Sequence, residues 1–206
     1  MTAEDRPLSP EAFADSADVG PAILDRFRIY ADLLVKWQRA INLVGPSTLA
    51  DPWRRHFLDS AQLMPLIPPG SRTLVDCGSG AGFPGMVLAL LGIPEVHLIE
   101  SDHRKAAFLA NVSRETGTPV TVHATRVEKV DPFIADVVTA RALAPLDRLL
   151  GMVRPFVGSR TISLFPKGQD VVSELTAATK DRKIAVDRYP SRTDPSATIL
   201  RLSGEW

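Results

Sequence analysis

The first third of the chain carries hydrophobic residues at spacings of three and four, which is the pattern of amphipathic helices. One such pattern starts at Ala22 and is broken by residues 42–46; its apolar stripe consists of Ile23, Phe27, Tyr30, Leu34, Trp37 and Ile41. A second helical pattern runs from about residue 52 to residue 66, and residues 9–11 can start a short helix before both. Residues 68–70, Pro-Pro-Gly, end this helical part of the chain.

Beyond residue 70 short apolar runs alternate with helical stretches. The runs predict strands at residues 73–77, 95–100, 120–123, 136–139, 161–165, 184–189 and 198–202. The stretches between them predict helices at residues 86–91, 103–116, 146–153 and 171–179. This alternation indicates an α/β fold with a mostly parallel, doubly wound sheet covered by helices on both faces. We expect residues 1–70 to form a helical extension packed on a domain of residues 71–206, the two making one compact unit.

Four glycines follow the first predicted strand directly: Gly78, Gly80, Gly82 and Gly85. A strand, a glycine-rich turn and a helix indicate a cofactor site, because the backbone can approach a ligand closely only where no Cβ intervenes. Counted from Gly80, the spacing is that of a dinucleotide fingerprint, with Glu100 twenty residues further on for a ribose hydroxyl. Counted from Asp76, an acid at the strand end is followed at once by glycines. A glycine-rich turn without any ligand is the third possibility.

Asp76 and Pro84 favour a methyl donor over a dinucleotide. A carboxylate that points into the pocket from the strand end repels a pyrophosphate but attracts the ammonium and sulfonium groups of S-adenosylmethionine. Pro84 removes one N–H from the first helical turn, where a dinucleotide needs donors for its phosphates. We therefore expect S-adenosylmethionine as the cofactor. The residues expected to hold it are Asp76, Gly78, Gly80, Gly82 and Glu100.

Charged residues also follow the later predicted strands. Arg126 and Glu128 follow the third strand, Arg141 the fourth and Lys167 the fifth. Because ligands of such sheets bind beyond the carboxyl ends of the strands, these residues should lie near the glycine loop. Arg141 can hold the carboxylate of the donor or a phosphate of the substrate, or it can pair with a nearby acid. Arg126 and Lys167 are candidate phosphate contacts or solvated surface residues.

The charge balance limits the partners of the protein. With 24 basic and 24 acidic residues the chain is neutral, which argues against binding nucleic acid through charge alone. One local concentration of basic side chains precedes the glycine loop, and it is either an RNA-binding face or a solvated helix surface. Its members are Lys36, Arg39, Arg54, Arg55 and His56.

The sequence predicts neither a membrane segment nor a metal site. It contains no run of eighteen apolar residues, and its N-terminus lacks the features of a signal peptide, so we expect a cytoplasmic location. The four histidines are scattered without the spacing of metal ligands, and Cys77 is the single cysteine. Its place inside a strand favours a small buried side chain over a nucleophile. We expect a monomer.

Two absences bear on the acceptor atom. The chain lacks the Asn/Asp-Pro-Pro-Tyr/Phe element that seats an exocyclic amino group, and it lacks a second cysteine for attack on a pyrimidine ring. A ring nitrogen with a free lone pair, such as N7 of guanine, carries no proton that must first be removed. Methylation there depends on positioning and electrostatics more than on a general base.

Several segments together resemble one bacterial family, the small-subunit ribosomal RNA methyltransferases G (RsmG, also called GidB). The segments are, in chain order, residues 36–43, 56–60, 76–85, 126–128, 141–142 and 167–168. Among them the run Gly-Ala-Gly-Phe-Pro-Gly of residues 80–85 is far more particular than a generic glycine loop. Cys77 stands where the family usually has a leucine or another apolar residue, and residues 180–206 match less distinctively.

The resemblance implies a class I S-adenosylmethionine-dependent methyltransferase with a helical N-terminal extension. It implies methyl transfer to N7 of one guanine in 16S rRNA, guanine 527 in the family, and an association of lost activity with low-level streptomycin resistance. By the same resemblance Gly78 and Phe83 line the donor site, Val127 and Glu128 border the adenine, and Arg141 contacts the donor or the target. A dinucleotide-dependent oxidoreductase and a non-catalytic ribosome-associated module remain the alternatives.

Overall fold

The structure is a computed structural model, and it describes residues 6–180 and 184–204. Two helices open the chain, α1 (Pro10–Ala17) and α2 (Pro21–Gln38). A short helix starts here, as the sequence predicted, and Ser9 caps it by accepting the N–H of Ala12. The helix α2 ends at Gln38, earlier than its apolar stripe predicted. The chain turns after this residue, and the Gln38 side chain stabilises the turn because its Oε1 accepts the N–H groups of Leu43 and Val44 at 2.9 and 3.0 Å.

The second predicted helix is not one continuous α-helix. It consists of a π-helical turn (Trp53–Leu58), a short α3 (Asp59–Ala61) and a 3₁₀ turn (Met64–Leu66), and a 3₁₀ turn (Pro46–Ala50) precedes it. Pro65 explains part of this break, because it has no N–H to continue an α-helical ladder. The result is a tight segment that turns several side chains towards the following domain.

Seven strands form one sheet: β1 (Thr73–Cys77), β2 (Glu95–Ile99), β3 (Thr121–His123), β4 (Val137–Thr139), β5 (Ile162–Lys167), β6 (Ala185–Pro190) and β7 (Thr198–Ser203). The helices of this part are α4 (Gly85–Leu90), α5 (His103–Thr116), α6 (Leu146–Val153) and α7 (Val171–Thr179). Every predicted strand and helix of this region is therefore found. The strand β5 is longer than predicted and includes Lys167, which the sequence placed after it.

The strand order is β3-β2-β1-β4-β5-β7-β6. The first five strands in this order are parallel, whereas β7 runs antiparallel to β5 and β6 antiparallel to β7. The order reverses between β1 and β4, and in a doubly wound sheet this is where a crevice for a ligand forms, beyond the carboxyl ends of the strands. The glycine loop follows β1 at that point.

The N-terminal helices share a hydrophobic core with one face of the sheet. Phe13, Phe27, Tyr30 and Phe57 are completely buried, and they belong to the same cluster as the sheet-domain residue Phe108. Their rings pack edge to face or at a tilt, with centroids 4.9 to 6.2 Å apart. The helix α2 thus reaches the glycine loop through this aromatic cluster.

Within the described residues, no helix has both the length and the apolar character needed to cross a membrane.

Candidate active site

The glycine loop after β1 adopts backbone angles that favour glycine. Gly78, Gly80 and Gly82 have φ values of +71°, +57° and +93°. The N–H groups of Gly78 and Ser79 both donate to the carbonyl of Ile99 at the end of β2, at 2.9 and 3.0 Å. These bonds join the loop to two neighbouring strands and fix its position over the sheet.

Asp76 does not face the cofactor pocket, contrary to the sequence-based prediction. Its carboxylate is completely buried beneath the loop, where Oδ1 accepts the Thr139 hydroxyl at 2.8 Å and Oδ2 accepts the Gly85 N–H at 3.2 Å. The pairing of β1 with β4 sets Thr139 directly opposite Asp76. The carboxylate therefore joins two strands to the first turn of α4. Burial is the main cause that raises the pKa of Asp76 to about 6, against an ordinary value of 3.8.

Gly82 also lies beneath the loop surface and does not line the cavity, although the sequence assigned it to the cofactor. A Cβ at this position would collide with the Tyr30 hydroxyl and stand 2.9 Å from the Met86 Cβ. Gly82 is needed because α2 and α4 pack closely against the loop. Gly80 differs, since a Cβ there would find only the Gly78 carbonyl, at 3.9 Å.

A cavity of about 620 Å³ opens above the glycine loop, and we call it the glycine-loop cavity. The structure brings most of the predicted cofactor residues together here: Gly78, Gly80, Phe83, Glu100, Val127, Glu128 and Arg141 line it. Arg126, predicted as a phosphate contact, lines it as well. Residues from the ends of four parallel strands thus meet at the reversal of strand order.

Glu100 is held rigidly at the edge of this cavity. It is buried, with 8% of its surface exposed, and both of its carboxylate oxygens accept backbone N–H groups. Oε2 accepts from Gly80 at 2.8 Å, and Oε1 accepts from Asp102 at 2.7 Å. Because an ionised carboxylate has about four acceptor positions, it can still accept hydrogen bonds from two adjacent hydroxyls.

Several residues of the glycine-loop cavity were missed from the sequence: Leu43, Val44, Lys105, Arg148 and Met152. Leu43 and Val44 come from the turn after α2 and reach the cavity only because Gln38 fixes that turn. Lys105 and Arg148 lie in the first turns of α5 and α6, the helices nearest the strand ends. Their position after predicted strands was the available signal, but solvated helix residues show the same pattern.

A second cavity, of about 710 Å³, lies beside the first. We call it the hairpin cavity, because part of its lining comes from the β6–β7 hairpin, including Asp194 and Ile199. The two cavities have five lining residues in common, and we call these the shared wall: Leu43, Val44, Arg141, Ala142 and Leu143. A ligand in one cavity therefore lies next to a ligand in the other.

Arg141 in the shared wall is held by Asp59 and His56. Its Nη1 donates to Asp59 Oδ2 at 3.1 Å, and its Nη2 donates to His56 Nδ1 at 3.3 Å. The ring of Phe83 lies beneath its guanidinium, 5.2 Å from Cζ, and stacks on His56 with centroids 4.8 Å apart. The sequence left open whether Arg141 pairs with an acid or binds a ligand. The structure shows the ion pair and also places Arg141 on both cavities.

His56 is neutral in this arrangement. Burial, followed by the charges of Arg141 and Arg55, lowers its pKa to about 3. Since a guanidinium can only donate, Nδ1 must accept, and the proton must lie on Nε2. Nε2 then donates to the Thr48 hydroxyl at 2.8 Å, which in turn donates to the Gly45 carbonyl at 2.7 Å.

The predicted RNA contacts divide into exposed and paired side chains, and Arg55 is both. Lys36, Arg39, Arg55 and Arg126 are exposed. Arg54 and Arg55 pair with Asp51 and Asp194, at 2.8 and 3.5 Å.

Two of the predicted RNA contacts are not surface cations. His56 is buried and neutral, and Lys167 has only 10% of its side chain exposed. The Lys167 Nζ donates to the Ala144 carbonyl and to Glu174, at 2.9 and 2.8 Å, so it closes the wall of the hairpin cavity. For both residues the direct RNA contact inferred from the sequence is replaced by a structural role.

The match to known proteins covers most of the chain. A family model described as rRNA small subunit methyltransferase G matches residues 23–194. The ribosomal RNA small subunit methyltransferase G of Paramagnetospirillum magneticum is 57% identical over 195 residues, which is 95% of each chain. That of Rhodospirillum rubrum is 52% identical over 195 residues, 95% of this chain and 97% of the relative.

Solved structures agree on the fold. A TehB-like SAM-dependent methyltransferase from Corynebacterium glutamicum superposes with a TM-score of 0.60 at 12% identity, over 86% of this chain and 100% of that chain. A ribosomal protein L11 methylase from Lactobacillus delbrueckii subsp. bulgaricus gives a TM-score of 0.62 at 15% identity, over 72% and 77%. The Rossmann-like class I fold predicted from the sequence is confirmed. The chain belongs to the rRNA small subunit methyltransferase G family.

Proposed function

We propose that this protein transfers a methyl group from S-adenosylmethionine to N7 of a guanine in 16S rRNA, with the glycine-loop cavity as the donor site. The observation that carries the proposal is the glycine-loop cavity. The glycine loop, Glu100 and Val127 meet there, at the point where the strand order reverses. The chain also belongs to a family of rRNA methyltransferases. Both the fold and the cavity are what a nucleoside cofactor requires.

The residues of the glycine-loop cavity suit the parts of S-adenosylmethionine. Glu100, fixed by two backbone N–H groups, has acceptor positions left for the two ribose hydroxyls. Phe83, Val127 and Met152 offer apolar surface for the adenine. The open space over Gly80 lets the ligand lie directly on the backbone.

The contacts at the start of α4 argue against a dinucleotide. A pyrophosphate would use free N–H groups at this helix N-terminus. Here Pro84 has none to give, and the Gly85 N–H already donates to the buried carboxylate of Asp76. A pyrophosphate would therefore find neither of these two positions able to donate a hydrogen bond.

The chemistry needs positioning more than proton transfer. When bound, S-adenosylmethionine supplies a methyl group that the N7 lone pair accepts as the carbon–sulfur bond breaks; the bonding pair stays on sulfur and the positive charge passes to the purine. No proton is released, so no general base is required. Cys77 lies buried inside β1, and burial raises its thiol pKa well above the ordinary value, which does not suit a nucleophile.

We further infer that the protein acts as a monomer in the cytoplasm on rRNA within a structured particle. Within the described residues, the exposed large apolar side chains are Ile29, Val35, Ile134 and Val172, and they are distributed over α2, a loop and α7. Scattered residues of this kind do not make an interface. Lys36, Arg39 and Arg126 are the exposed cations that we assign to RNA phosphates.

The proposal is tested by calorimetric titration of the purified protein with S-adenosylmethionine and, in parallel, with NADH. We expect saturable binding of the methyl donor only, weakened at least tenfold in Glu100→Gln, because an amide offers fewer charge-assisted acceptor positions. Glu115→Gln on the exposed end of α5 is the matched control and should bind like the wild type. Binding of NADH alone would support the oxidoreductase alternative.

The acceptor is tested with small subunits from a strain that lacks this modification. Incubation with protein and S-adenosylmethionine should restore one N7-methylguanine, detected by mass spectrometry of nuclease digests. A protein that binds subunits but neither the donor nor NADH would be the non-catalytic module instead.

A further inference from the structure

The hairpin cavity lies directly across the shared wall from the proposed donor site. Only this wall separates a ligand in the hairpin cavity from the donor site. With about 710 Å³, the hairpin cavity falls in the size range of sites that bind small molecules. An acceptor atom that lies in the hairpin cavity against the shared wall is therefore next to the donor site.

The charged side chains that line the hairpin cavity are electrically balanced. Each of its three basic side chains is paired with a carboxylate that also lines it; the pairs are Arg55 with Asp194 at 3.5 Å, Arg141 with Asp59 at 3.1 Å, and Lys167 with Glu174 at 2.8 Å. A phosphate group would need cations that are not already neutralised. A nucleobase instead presents neutral donors and acceptors along its edges. The cavity therefore suits a base better than the RNA backbone.

Arg141 is the single residue of the shared wall whose side chain can donate a hydrogen bond, because the other four wall residues are apolar. Its guanidinium carries five N–H donors. Three of them point to Asp59, to the Arg55 carbonyl and to His56, at 3.1, 3.5 and 3.3 Å. Among the described residues no partner takes the Nε hydrogen or the second hydrogen of Nη2. Arg141 is thus held in place with donors left for a ligand.

We propose that the hairpin cavity receives the target guanine, turned out of the RNA stack, and that Arg141 donates a hydrogen bond to its O6. O6 and N7 lie side by side on one edge of the purine, so a base that presents N7 to the shared wall presents O6 as well. The N7 lone pair stays free to accept the methyl group. Adenine carries an amino group in place of O6. This amino group and the Arg141 guanidinium are both hydrogen-bond donors and cannot bond to each other, so Arg141 selects guanine. This inference rests on the proposed function.

The test is a double-mutant cycle in which one change, Arg141→Ala, is made in the protein and the other is made in the target base of the RNA. Small subunits are reconstituted with 16S rRNA ligated to contain either guanine or 2-aminopurine, which lacks O6, at the methylated position. We expect either change alone to lower the methylation rate about 10- to 100-fold, as for loss of a hydrogen bond to a charged group. The two changes together should cost little more than either alone, because both remove the same contact.

Additive losses, or equal rates of the wild type on both bases, would overturn the contact with O6. Arg141→Gln is measured in parallel, so that a folding defect of the alanine variant does not decide the result. Calorimetry of each variant with S-adenosylmethionine separates weakened donor binding from a lost base contact. If the wild type binds the donor but does not methylate the guanine subunits, the proposed function fails and this inference fails with it.

Asp59 is a positioning residue in this proposal, since it acts by holding Arg141. Its Oδ1 accepts hydrogen bonds from Gln62 and from Thr193 in the hairpin loop, at 3.0 and 2.6 Å. The Asp59→Asn variant therefore weakens the interaction with Arg141 but keeps a side chain of the same size that can accept these two hydrogen bonds. We expect this variant to reduce the penalty for 2-aminopurine severalfold, which mere loss of stability would not do. Asp51→Asn, which breaks the Arg54 pair and lines neither cavity, is the control and should keep the wild-type penalty. An unchanged penalty in Asp59→Asn would remove Asp59 from the proposal.

Discussion

The buried carboxyl of Asp76 makes the stability of the fold depend on pH. Its pKa of about 6 lies above the unfolded value of 3.8, so the folded protein holds the proton more tightly. The stabilisation is fully present below about pH 4 and is lost as the pH rises through 6, where a buried group must ionise. The shift corresponds to about 3 kcal/mol of free energy of unfolding.

We expect Asp76→Asn to flatten this dependence. The amide can still accept the Gly85 N–H and can donate to the Thr139 hydroxyl, but it does not titrate. Urea unfolding at several pH values between 4 and 7 measures the effect. The other ionisable groups are common to both proteins, so the difference between the two curves isolates Asp76. Parallel curves would contradict the raised pKa.

Two loop glycines should respond differently to alanine. Gly82→Ala adds a left-handed alanine and a collision with Tyr30 and Met86 in the core, for which we expect a loss of about 2–5 kcal/mol in the free energy of unfolding. Gly80→Ala adds only the backbone strain, about 1–2 kcal/mol, but its methyl group stands in the donor cavity. Urea unfolding and donor titration together should show a stability defect in the first variant and mainly a binding defect in the second. Equal stability losses would argue against the packing role of Gly82.

At the level of elements, α2 supports the glycine loop through Tyr30. The Tyr30 hydroxyl donates to the Ala81 carbonyl within the loop, and its ring stacks on Phe83 with centroids 5.4 Å apart. Tyr30→Phe keeps the ring but leaves the carbonyl without its donor, so we expect a loss of about 1–3 kcal/mol in the free energy of unfolding. Donor affinity should fall as well, because the loop loses its support.

Tyr189 on β6 provides the matched control for this prediction. It is half-buried, and its hydroxyl makes no hydrogen bond within the described part of the chain. Tyr189→Phe should leave both unfolding and donor affinity near the wild-type values. If Tyr30→Phe behaves in the same way, α2 covers the loop without holding it.

At the level of the whole molecule, we infer that residues 1–70 and 71–206 unfold as one unit. The cluster of Phe13, Phe27 and Phe57 is continuous with Leu88 and Phe108 of the sheet domain. A chain lacking residues 1–70 would expose that face, and we expect it to show no cooperative thermal transition. The full chain should show a single transition in calorimetry, and a chain lacking residues 1–5 is the control. Two separate transitions in the full chain would contradict the single core.

Much of the fold could be predicted because hydrophobic periodicity is a local property. The helices α6 and α7 lie where their patterns placed them, and the strands differ from prediction by a few residues at their ends. The prediction of one continuous helix over residues 52–66 was wrong. The apolar spacing of this segment did not show how Pro65 and the packing under α2 would divide it into shorter turns.

The sequence by itself determined the elements, the glycine loop and the family, since each depends on neighbouring residues or on the order of short motifs. Only the tertiary structure decided where the chemistry lies. Asp76 turns under the loop because β4 brings Thr139 beside it, and Arg141 meets Asp59 across 82 positions of the chain. Thr193 reaches the same carboxylate across 134 positions. Such contacts depend on how layers distant in sequence pack together, and no local pattern records that packing.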